Sequence, residues 1–523
     1  MPFAPHHPGN APAGLLRRAV ARCPRLGALL ISAACAGCAV GPDYKRPEVP
    51  LPAAWHAPVP PAAAPTPAAD VTNTAWWRMF GDPDLSALID SALEANKDLR
   101  IAAYRVEEFD AHLQVAAAAA YPQVSYNVSG LRQQRSQEQP ALLRPGTPPT
   151  YNSFSMGLNY SWEVDLWGKV KRSNEAARAE LLSTEEARRA VMLTVVSNVA
   201  TTYVQLLGYD QQLSIARQTL KNRESAYKLL DTKARGGSAT KLSVAQARAL
   251  MDEVAAQIPQ IERQIATLEN ALSVLAGRNP GPVQRRSIEA LTLPTVPAGV
   301  PSDVLIRRPD VMAAEQTLVA ANARIGLAKA QYFPTVSITG AMGLASDQLR
   351  WLLAKTARTG ELSRSLTGPL FDGARIAGDV RQAEAVQKQM VERYLQAVQS
   401  ALQETADALV FHAKADEQYA ALKRQVESRD EVLRLSRMRY EGGESTFLEV
   451  LDAEREVFAS QTQQAQGWRD RYLALVALYK AMGGGWMVEQ DKLKATKPAD
   501  DAPAAVTADN GPVAAATQDG TLK

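Results

Sequence analysis

Residues 437–450 read RMRYEGGESTFLEV and separate two long segments of helical pattern. No proline occurs between Pro369 and Pro498, so helices can run without interruption on both sides of this turn. The glycine pair Gly442-Gly443 permits the positive backbone angles with which many helices end. The sequence around the turn therefore predicts a helical hairpin.

The segment before the turn carries apolar side chains at a seven-residue spacing, which is typical of a left-handed coiled-coil seam. A helix over residues 374–440 would be about 100 Å long, at about 1.5 Å per residue. After the turn, Ser445 and Thr446 are predicted to cap the returning helix. The seam residues form two runs: Leu395, Leu402 and Leu409, then Val426, Leu433 and Tyr440.

Two internal matches indicate that the chain is duplicated. Residues 98–125 align without a gap with residues 310–337, and residues 235–248 align with residues 441–454. Two matches in the same order and at nearly the same offset favour a repeat over coincidence. In the second match the paired positions are Gly236 with Gly442, Gly237 with Gly443, Thr240 with Thr446, Leu242 with Leu448, Val244 with Val450 and Ala247 with Ala453.

Each half is predicted to contain a helix, two strands, a long helix, a turn and a shorter helix. The long helices are expected at about 168–233 and 374–440, and the shorter helices of the first half at about 94–120 and 239–276. The two shorter helices together have roughly the length of the long one. Stacked end to end, they could form a second rod of full height beside it.

Alternating apolar and polar residues predict four strands, at about 121–132, 151–166, 333–345 and 361–371. The alternation is clearest in the second strand, whereas Arg364 falls on the apolar face of the fourth. Each strand is long enough to cross a bilayer when tilted. The apolar face of the second strand carries Phe154, Met156, Leu158, Tyr160, Trp162, Val164 and Leu166.

A sheet half-buried in a soluble domain would show a similar alternation. Two features favour a membrane barrel: the polar face is small and hydroxylated, and aromatic residues lie near the strand ends. Four strands cannot close a barrel, and lipid does not tolerate an open sheet edge. The predicted fold class is therefore mainly α with a transmembrane β-barrel part, in which three copies supply twelve strands above an α-helical tunnel. The aromatic residues are Tyr126, Tyr160, Trp162 and Trp167.

The N-terminus has the pattern of an export signal over residues 1–37, with four arginines followed by a short apolar segment. Ala36-Gly37-Cys38 resembles a lipoprotein cleavage site, and an ordinary signal peptide is the alternative. Residues 38–70 are rich in Pro and Ala and are predicted to form a tether. Residues 487–523 are predicted to be a disordered tail. No apolar run of transmembrane-helix length follows the signal.

The composition excludes several classes of function. The chain has 58 basic and 55 acidic residues, and the signal holds four of the basic ones, so the remainder is nearly neutral and gives no support for nucleic-acid binding. The histidines lack metal-ligand spacing, and the glycine pairs do not follow strands as phosphate loops do. We therefore expect no catalysis and no cofactor.

These residues resemble the TolC-type outer-membrane efflux channels, in the lipoprotein branch often called NodT-like. The resemblance covers nearly all of residues 38–486, as two efflux repeats at 71–280 and 281–486. It is carried by residues 38–47 (CAVGPDYKRP), by Trp76-Trp77 through Asp82-Pro83, by Tyr332-Phe333-Pro334, by Tyr440 through Ala453 and by residues 481–486 (AMGGGW).

The resemblance implies a homotrimer in the outer membrane of a Gram-negative bacterium that extends into the periplasm and exports small molecules. It also implies a periplasmic adaptor and an inner-membrane pump as partners, and acyl chains on Cys38. A helical-hairpin adaptor or structural lipoprotein is the alternative, although it would not need the strands. A barrel bearing an enzyme domain would need a passenger segment, which the sequence lacks.

Both hairpin turns are expected at the periplasmic tip, where an adaptor would dock. Glu441 and Glu444 occur only in the second turn and are hypothesised to form an acidic gate, offset by Arg437 or Arg235. In related channels an aspartate of such a ring aligns with Ser445, so this chain departs from that pattern. The alternative is that both glutamates point outward and keep the tip soluble. The predicted docking residues are Gly236, Gly237, Ala239, Gly442, Gly443 and Ser445.

Overall fold

The computed structural model describes residues 39–50, 75–134, 136, 150–294 and 308–484. Cys38, most of the predicted tether and the C-terminal tail lie outside the described residues. The α-helices of the described part are α1 (Pro83–Ala95), α2 (Lys97–Ala118), α3 (Lys169–Arg235), α4 (Lys241–Leu275), α5 (Pro309–Ala330), α6 (Arg375–Glu441) and α7 (Phe447–Ala481). The strands are β1 (Gln123–Gln134), β2 (Thr150–Val164), β3 (Thr335–Ser346) and β4 (Arg358–Thr367).

Two helices of 67 residues, α3 and α6, set the height of the chain. The 22-residue α5 and the 35-residue α7 both pack along α6, and α2 and α4 both pack along α3. The shorter helices therefore occupy successive levels beside each long helix. Helix α5 also packs against α3 and so joins the two halves.

The buried face of α6 agrees with the predicted seam at Leu409 and Val426 and differs from it nearer the sheet. Leu395 and Leu402 are only half-buried, whereas Tyr394, Val398 and Ala401 are buried. Tyr394 and Ala401 lie one residue before the predicted seam positions Leu395 and Leu402. The reason is that α6 packs against α5 as well as α7, so its buried stripe is wider than a two-helix seam.

Both hairpin turns end their long helices in the same way. Only the second glycine of each pair has a positive φ, at 76° for Gly237 and 75° for Gly443. The predicted cap after the second turn is wrong, because the side-chain oxygens of Ser445 and Thr446 accept no hydrogen bond from the backbone of α7. In the first turn Thr240 does so, accepting from the Ser243 N–H at 3.1 Å.

The largest core lies where the shorter helices of each half meet. Trp76, Trp77 and Phe80 are almost fully buried there, so this segment docks onto the body of the chain. The Trp76 ring stacks on Tyr479 of α7 with centroids 5.2 Å apart. Below it, a carboxylate oxygen of Asp82 accepts from the Tyr203 hydroxyl at 2.7 Å. This N-terminal segment therefore joins the first half to the last helix.

The four strands form one antiparallel sheet in the order β1-β2-β3-β4. The register aligns apolar positions across neighbouring strands, as in the row Val164, Val336 and Leu366 and in the pair Val128 and Met156. The opposite face carries polar and small residues, with Ser125 beside Asn159 and Glu361 beside Ala341. The sheet therefore has one face suited to lipid and one suited to water.

The fourth strand lies earlier than its predicted bounds of 361–371. It begins at Arg358 and ends at Thr367, before Gly368-Pro369. Proline lacks the N–H that a central ladder position donates, so the strand ends before it. Arg364 pairs with Ile338 and lies on the apolar face, as predicted.

One helix of the described part, Lys169–Arg235, contains a window long and apolar enough to cross a membrane, but 61% of that window is buried within the chain. The apolar residues of α3 are therefore accounted for by packing against its neighbours.

Gly157 and Gly343 face each other across β2 and β3. A Cβ at Gly343 would lie 2.4 Å from the Met156 carbonyl oxygen and 2.7 Å from the Gly157 Cα. Gly343→Ala should therefore force the strands apart and reduce the amount of folded protein, because such overpacking costs about 1–3 kcal/mol. Heat-modifiable migration on gels measures the folded fraction.

Gly360→Ala is the matched control, because its Cβ would meet nothing closer than the Ala341 carbonyl oxygen at 4.0 Å. Equal folded fractions for the two variants would contradict the close approach of β2 and β3.

Candidate functional site

The two hairpin turns present their glycines to solvent but not all of the predicted docking residues. Gly236, Gly237, Gly442 and Gly443 are exposed. Ala239 and Ser445 are half-buried, and the Ser445 hydroxyl is buried without a hydrogen-bond partner. These two side chains therefore pack into the turns and do not form their outer surface.

Leucines that the sequence analysis did not select form the exposed apolar surface near the tip. Leu242 in α4 is 66% exposed, and Leu448 in α7 is 48% exposed. On the preceding helices, Leu229 is 57% exposed and Leu435 is 45% exposed. The repeat alignment pairs Leu242 with Leu448, so the signal was present in the sequence. Each hairpin therefore offers an equivalent pair of leucines to a partner.

The two tips also contact each other. The Lys233 ammonium of α3 lies 5.8 Å from the centre of the Tyr440 ring at the end of α6. Tyr440 in turn packs edge-on against Phe447 of α7, with centroids 5.1 Å apart. An ammonium over an aromatic face is attracted to it. The first and second hairpins are thus connected at their ends within one chain.

The structure does not bring the predicted gate charges together within one chain. Arg437 pairs with Glu454 at 2.8 Å, and Arg235 pairs with Asp231 of its own helix. Glu441 and Glu444 are exposed, and neither forms an ion pair with a described residue. The arginines therefore have other partners inside their own hairpins. A ring of glutamates formed between copies stays a prediction.

A second candidate site lies at the opposite end of the long helices, where residues 39–46 form an N-terminal strap. The Val40 N–H donates to the Trp167 carbonyl at 3.0 Å, immediately after β2. Gly41, at φ 110°, passes so close to α5 that a Cβ on it would lie 2.4 Å from the Gly326 Cα. The strap therefore lies in a groove beside α5 that has no room for a side chain at position 41.

Arg172 of α3 is buried and holds the strap by charge. Its guanidinium donates to the Asp43 carboxylate at 2.8 Å and to the carbonyls of Val40 and Gly41 at 3.3 Å. A further bond at 2.7 Å reaches Glu175. Because Arg172 donates a hydrogen bond to it, the pKa of Asp43 lies below its usual value. The carboxylate therefore stays ionised near neutral pH.

Glu315 of α5 anchors the other end of the strap. Its carboxylate accepts from Arg46 Nε at 2.7 Å and from the Tyr44 hydroxyl at 3.1 Å. Burial and the neighbouring carboxylate raise the pKa of Tyr44, so the hydroxyl keeps its proton. Asn322 adds a bond from its amide to the Pro42 carbonyl at 2.9 Å. The strap is thus fixed along its whole length.

The strap brings the chain to the base of the sheet. Ala39 lies against Gly168, whose φ of 75° lets the backbone pass. The neighbouring Trp167 donates to the Pro334 carbonyl at 2.7 Å and stacks on Phe333, just before β3. The residue that follows Cys38 is therefore held beside aromatic side chains at the end of the sheet.

No group of His, Cys, Asp and Glu side chains able to hold a metal ion occurs in the described part of the chain. The buried carboxylate Glu315 is engaged with the strap. The two sites are therefore surfaces for positioning and contact.

The hydrogen bonds from Arg172 to the strap can be tested by substitution. Arg172→Ala removes hydrogen bonds from a charged donor, each worth about 1.5–3 kcal/mol. Residues 39–43 of the strap should then detach, because Glu315 still holds Tyr44 and Arg46, and limited digestion with proteinase K should cleave within residues 39–43 much faster than in the wild type.

Arg178→Ala is the control, because Arg178 is an exposed arginine on the same helix. Cleavage at equal rates in the two variants would show that Arg172 does not hold the strap.

Comparisons with known proteins agree with this architecture. A family model described as outer membrane efflux protein matches residues 88–278 and 300–484. The cation efflux system protein CusC of Escherichia coli K12 is 35% identical over 458 residues, which cover 87% of this chain and 98% of CusC. The solvent efflux pump outer membrane protein SrpC of Pseudomonas putida is 33% identical over 462 residues, covering 87% and 97%.

Solved structures show the same fold. The open state of the MtrE outer membrane channel of Neisseria gonorrhoeae superposes with a TM-score of 0.76 at 31% identity, covering 86% of this chain and 99% of MtrE. A crystal structure of CusC gives a TM-score of 0.76 at 34% identity, covering 85% and 99%.

Proposed function

The chain belongs to the outer membrane efflux protein family, and on this premise we propose that three copies form one continuous conduit from the periplasm to the outside. As a member it is an outer membrane efflux channel and not an enzyme. The trimer is inferred from the four-stranded sheet, whose edge strands β1 and β4 each have one unpaired edge. Three sheets give twelve strands, enough to enclose an aqueous lumen.

The polar face of the sheet would line that lumen. Across β1, β2 and β3 it carries hydroxyls and amides, such as Ser129, Ser155, Asn159 and Thr339, and the strands add only the carboxylates Glu163 and Glu361. Such a surface fits water and varied solutes better than one selected substrate. CusC is named for cation efflux and SrpC for solvent efflux, so similar chains serve unlike cargo. We propose that the pump, and not this channel, selects the small molecules exported here.

Cys38 is the proposed attachment point for acyl chains. The strap holds Ala39 beside Trp167, and aromatic residues of this kind favour the membrane interface. Acyl chains on the preceding residue would then enter the inner leaflet next to the barrel. The strap thus supplies a fixed distance between lipid anchor and sheet.

A periplasmic adaptor is the proposed partner at the tips, with an inner-membrane pump beyond it. Leu242 and Leu448 are the apolar residues that a helical hairpin of the adaptor would cover. That this chain is itself a periplasmic adaptor is disfavoured, because an adaptor in water would not expose an apolar sheet face.

The tip leucines can be tested directly. Leu242→Asp and Leu448→Asp should each abolish export of a dye by cells that express the matching pump and adaptor, while the amount of channel in the outer membrane stays unchanged. Burying a leucine contributes about 1.5–3 kcal/mol, and three copies multiply the loss. Ser238→Asp adds the same charge to the first turn without removing an apolar contact, and it should export normally. Wild-type export by both leucine variants would move the docking surface elsewhere.

The proposed acidic gate has a separate test. If Glu441 and Glu444 approach the symmetry axis, replacing both with Gln should lower the cation-to-anion permeability ratio about two-fold or more in planar bilayers. Glu427→Gln, higher on the same helix, should have little effect. Unchanged selectivity in the double variant would leave both glutamates as outward-facing surface charges.

A further inference from the structure

Two arginines lie at the outer end of the sheet, on its apolar face. The other end of each strand leads toward the helices, so the β1–β2 and β3–β4 connections mark the outer end. Arg132 shares its face of β1 with Val124, Tyr126 and Val128, and Arg358 pairs with the apolar Leu344. Both arginines therefore project toward the surroundings of the barrel and not into its lumen.

Their height matches the boundary of an apolar layer. Arg132 follows Val124 by eight residues, and Arg358 precedes Leu366 by eight residues. At about 3.3 Å per residue this spans roughly 26 Å along the strand, or about 20 Å across the bilayer at the usual strand tilt of about 35–45°, against an apolar band of about 25 Å in outer-membrane barrels. The two arginine backbones thus lie near the outer edge of the apolar band, and their long side chains can extend to the headgroups of the outer leaflet.

Neither arginine has a partner in the described part of the chain. Both are exposed and form no ion pair, and Lys355 in the β3–β4 connection is exposed and equally unpaired. The nearest carboxylate along β4, Glu361, lies on the opposite face of the sheet. Among the described residues of this outer end, the cations therefore outnumber the single carboxylate of the β3–β4 connection, Asp347, which forms no ion pair with them.

The β3–β4 connection adds apolar side chains at the same level. Leu349, Trp351 and Leu353 are 65%, 55% and 79% exposed, and the Arg350 guanidinium lies 5.4 Å from the centre of the Trp351 ring. Between them, Leu352 is buried. A loop anchored by the buried Leu352 and Ala357 thus presents an amphipathic surface, with cations beside an aromatic ring. Such a surface suits a membrane interface.

Closure of the barrel would bring the two arginines together. The free edges are β1, of twelve residues, and β4, of ten. Antiparallel pairing over their full length would set the outer end of β4 of one copy beside the outer end of β1 of the next. Arg358 and the neighbour's Arg132 would then be adjacent or diagonal partners, within about 8 Å. Like charges so placed repel each other unless an anion lies between them.

We propose that each of the three seams between copies binds the phosphate groups of a phosphorylated glycolipid in the outer leaflet. Arg132 of one copy and Arg358 of the next contact the phosphates, Lys355 and Arg350 add charge, and Trp351 with its neighbouring leucines lies along the lipid's apolar part. A doubly charged phosphate between two guanidinium groups replaces repulsion with charge-assisted hydrogen bonds. The inference rests on the proposed trimer.

The test uses purified full-length channel, washed in detergent and then titrated with bis-phosphorylated lipid A in native mass spectrometry. Wild-type trimer should bind up to three lipid A molecules. The pair Arg132→Gln and Arg358→Gln should weaken binding at least ten-fold. Arg364→Gln is the matched control, because Arg364 lies on the same strand and face but near the periplasmic end. It should bind as the wild type does.

Three further arms separate the explanations. Dephosphorylated lipid A should bind weakly to every variant, and inorganic phosphate should not displace lipid A, since a free ion lacks the acyl chains. Lysine in place of both arginines should restore much of the binding. If the double variant fails to assemble, Arg358→Gln alone should weaken binding several-fold.

Lipid A binding of equal strength in the wild type and the arginine-to-glutamine variants would overturn the proposal, as would equal loss in Arg364→Gln. The same spectra report the mass of the assembly, so failure of the trimer is seen independently of lipid binding.

Discussion

The free edges of the sheet impose the strictest physical constraint on this chain. Strands β1 and β4 each leave a row of backbone N–H and C=O groups unpaired. Inside hydrocarbon every such group costs several kcal/mol, because lipid offers no hydrogen-bond partner. A single chain therefore cannot place this sheet in a membrane. Only pairing with further copies supplies hydrogen-bond partners to the backbone groups of both edges. The exposed apolar face favours transfer of each copy from water into lipid.

The helices and the N-terminal strap hold the sheet in the position that closure of the barrel requires. Each strand pair leads into a long helix, so the positions of α3 and α6 follow from the sheet above them. The core around Trp76 and Tyr479 joins the two halves at the level where the shorter helices meet. The strap, held by Arg172 and Glu315, adds a third connection just below the sheet. Connections between the two halves thus lie just below the sheet and at mid-height, and the contact of Lys233 with Tyr440 joins the two hairpins at their tips.

Much of this architecture was predictable because its signals are periodic. Alternation from Ser153 to Leu166 marks a strand whatever its neighbours are, and the paired glycines mark both turns. The details that the sequence did not predict depend on contacts with neighbouring elements. The buried stripe of α6 widens to include Tyr394 because two helices pack there, and β4 ends early because Pro369 follows.

The sites were harder to predict than the fold. Their place in the turns predicts Ala239 and Ser445 as docking residues, but the residues that the structure exposes are Leu242 and Leu448. The contact between Arg46 and Glu315 joins residues 269 positions apart, so no local pattern reveals it.

The duplicated hairpins have diverged in the way each turn is held. In the first, Thr240 caps α4 through its hydroxyl, an interaction worth about 1 kcal/mol that salt hardly screens. In the second, Thr446 makes no such bond, and the exposed pairs Arg437–Glu454 and Arg439–Glu449 join α6 to α7. Exposed ion pairs contribute about 0–1 kcal/mol and weaken as salt rises. The second turn is therefore the one whose conformation responds to nearby charge, whether from its copies or from a docked partner.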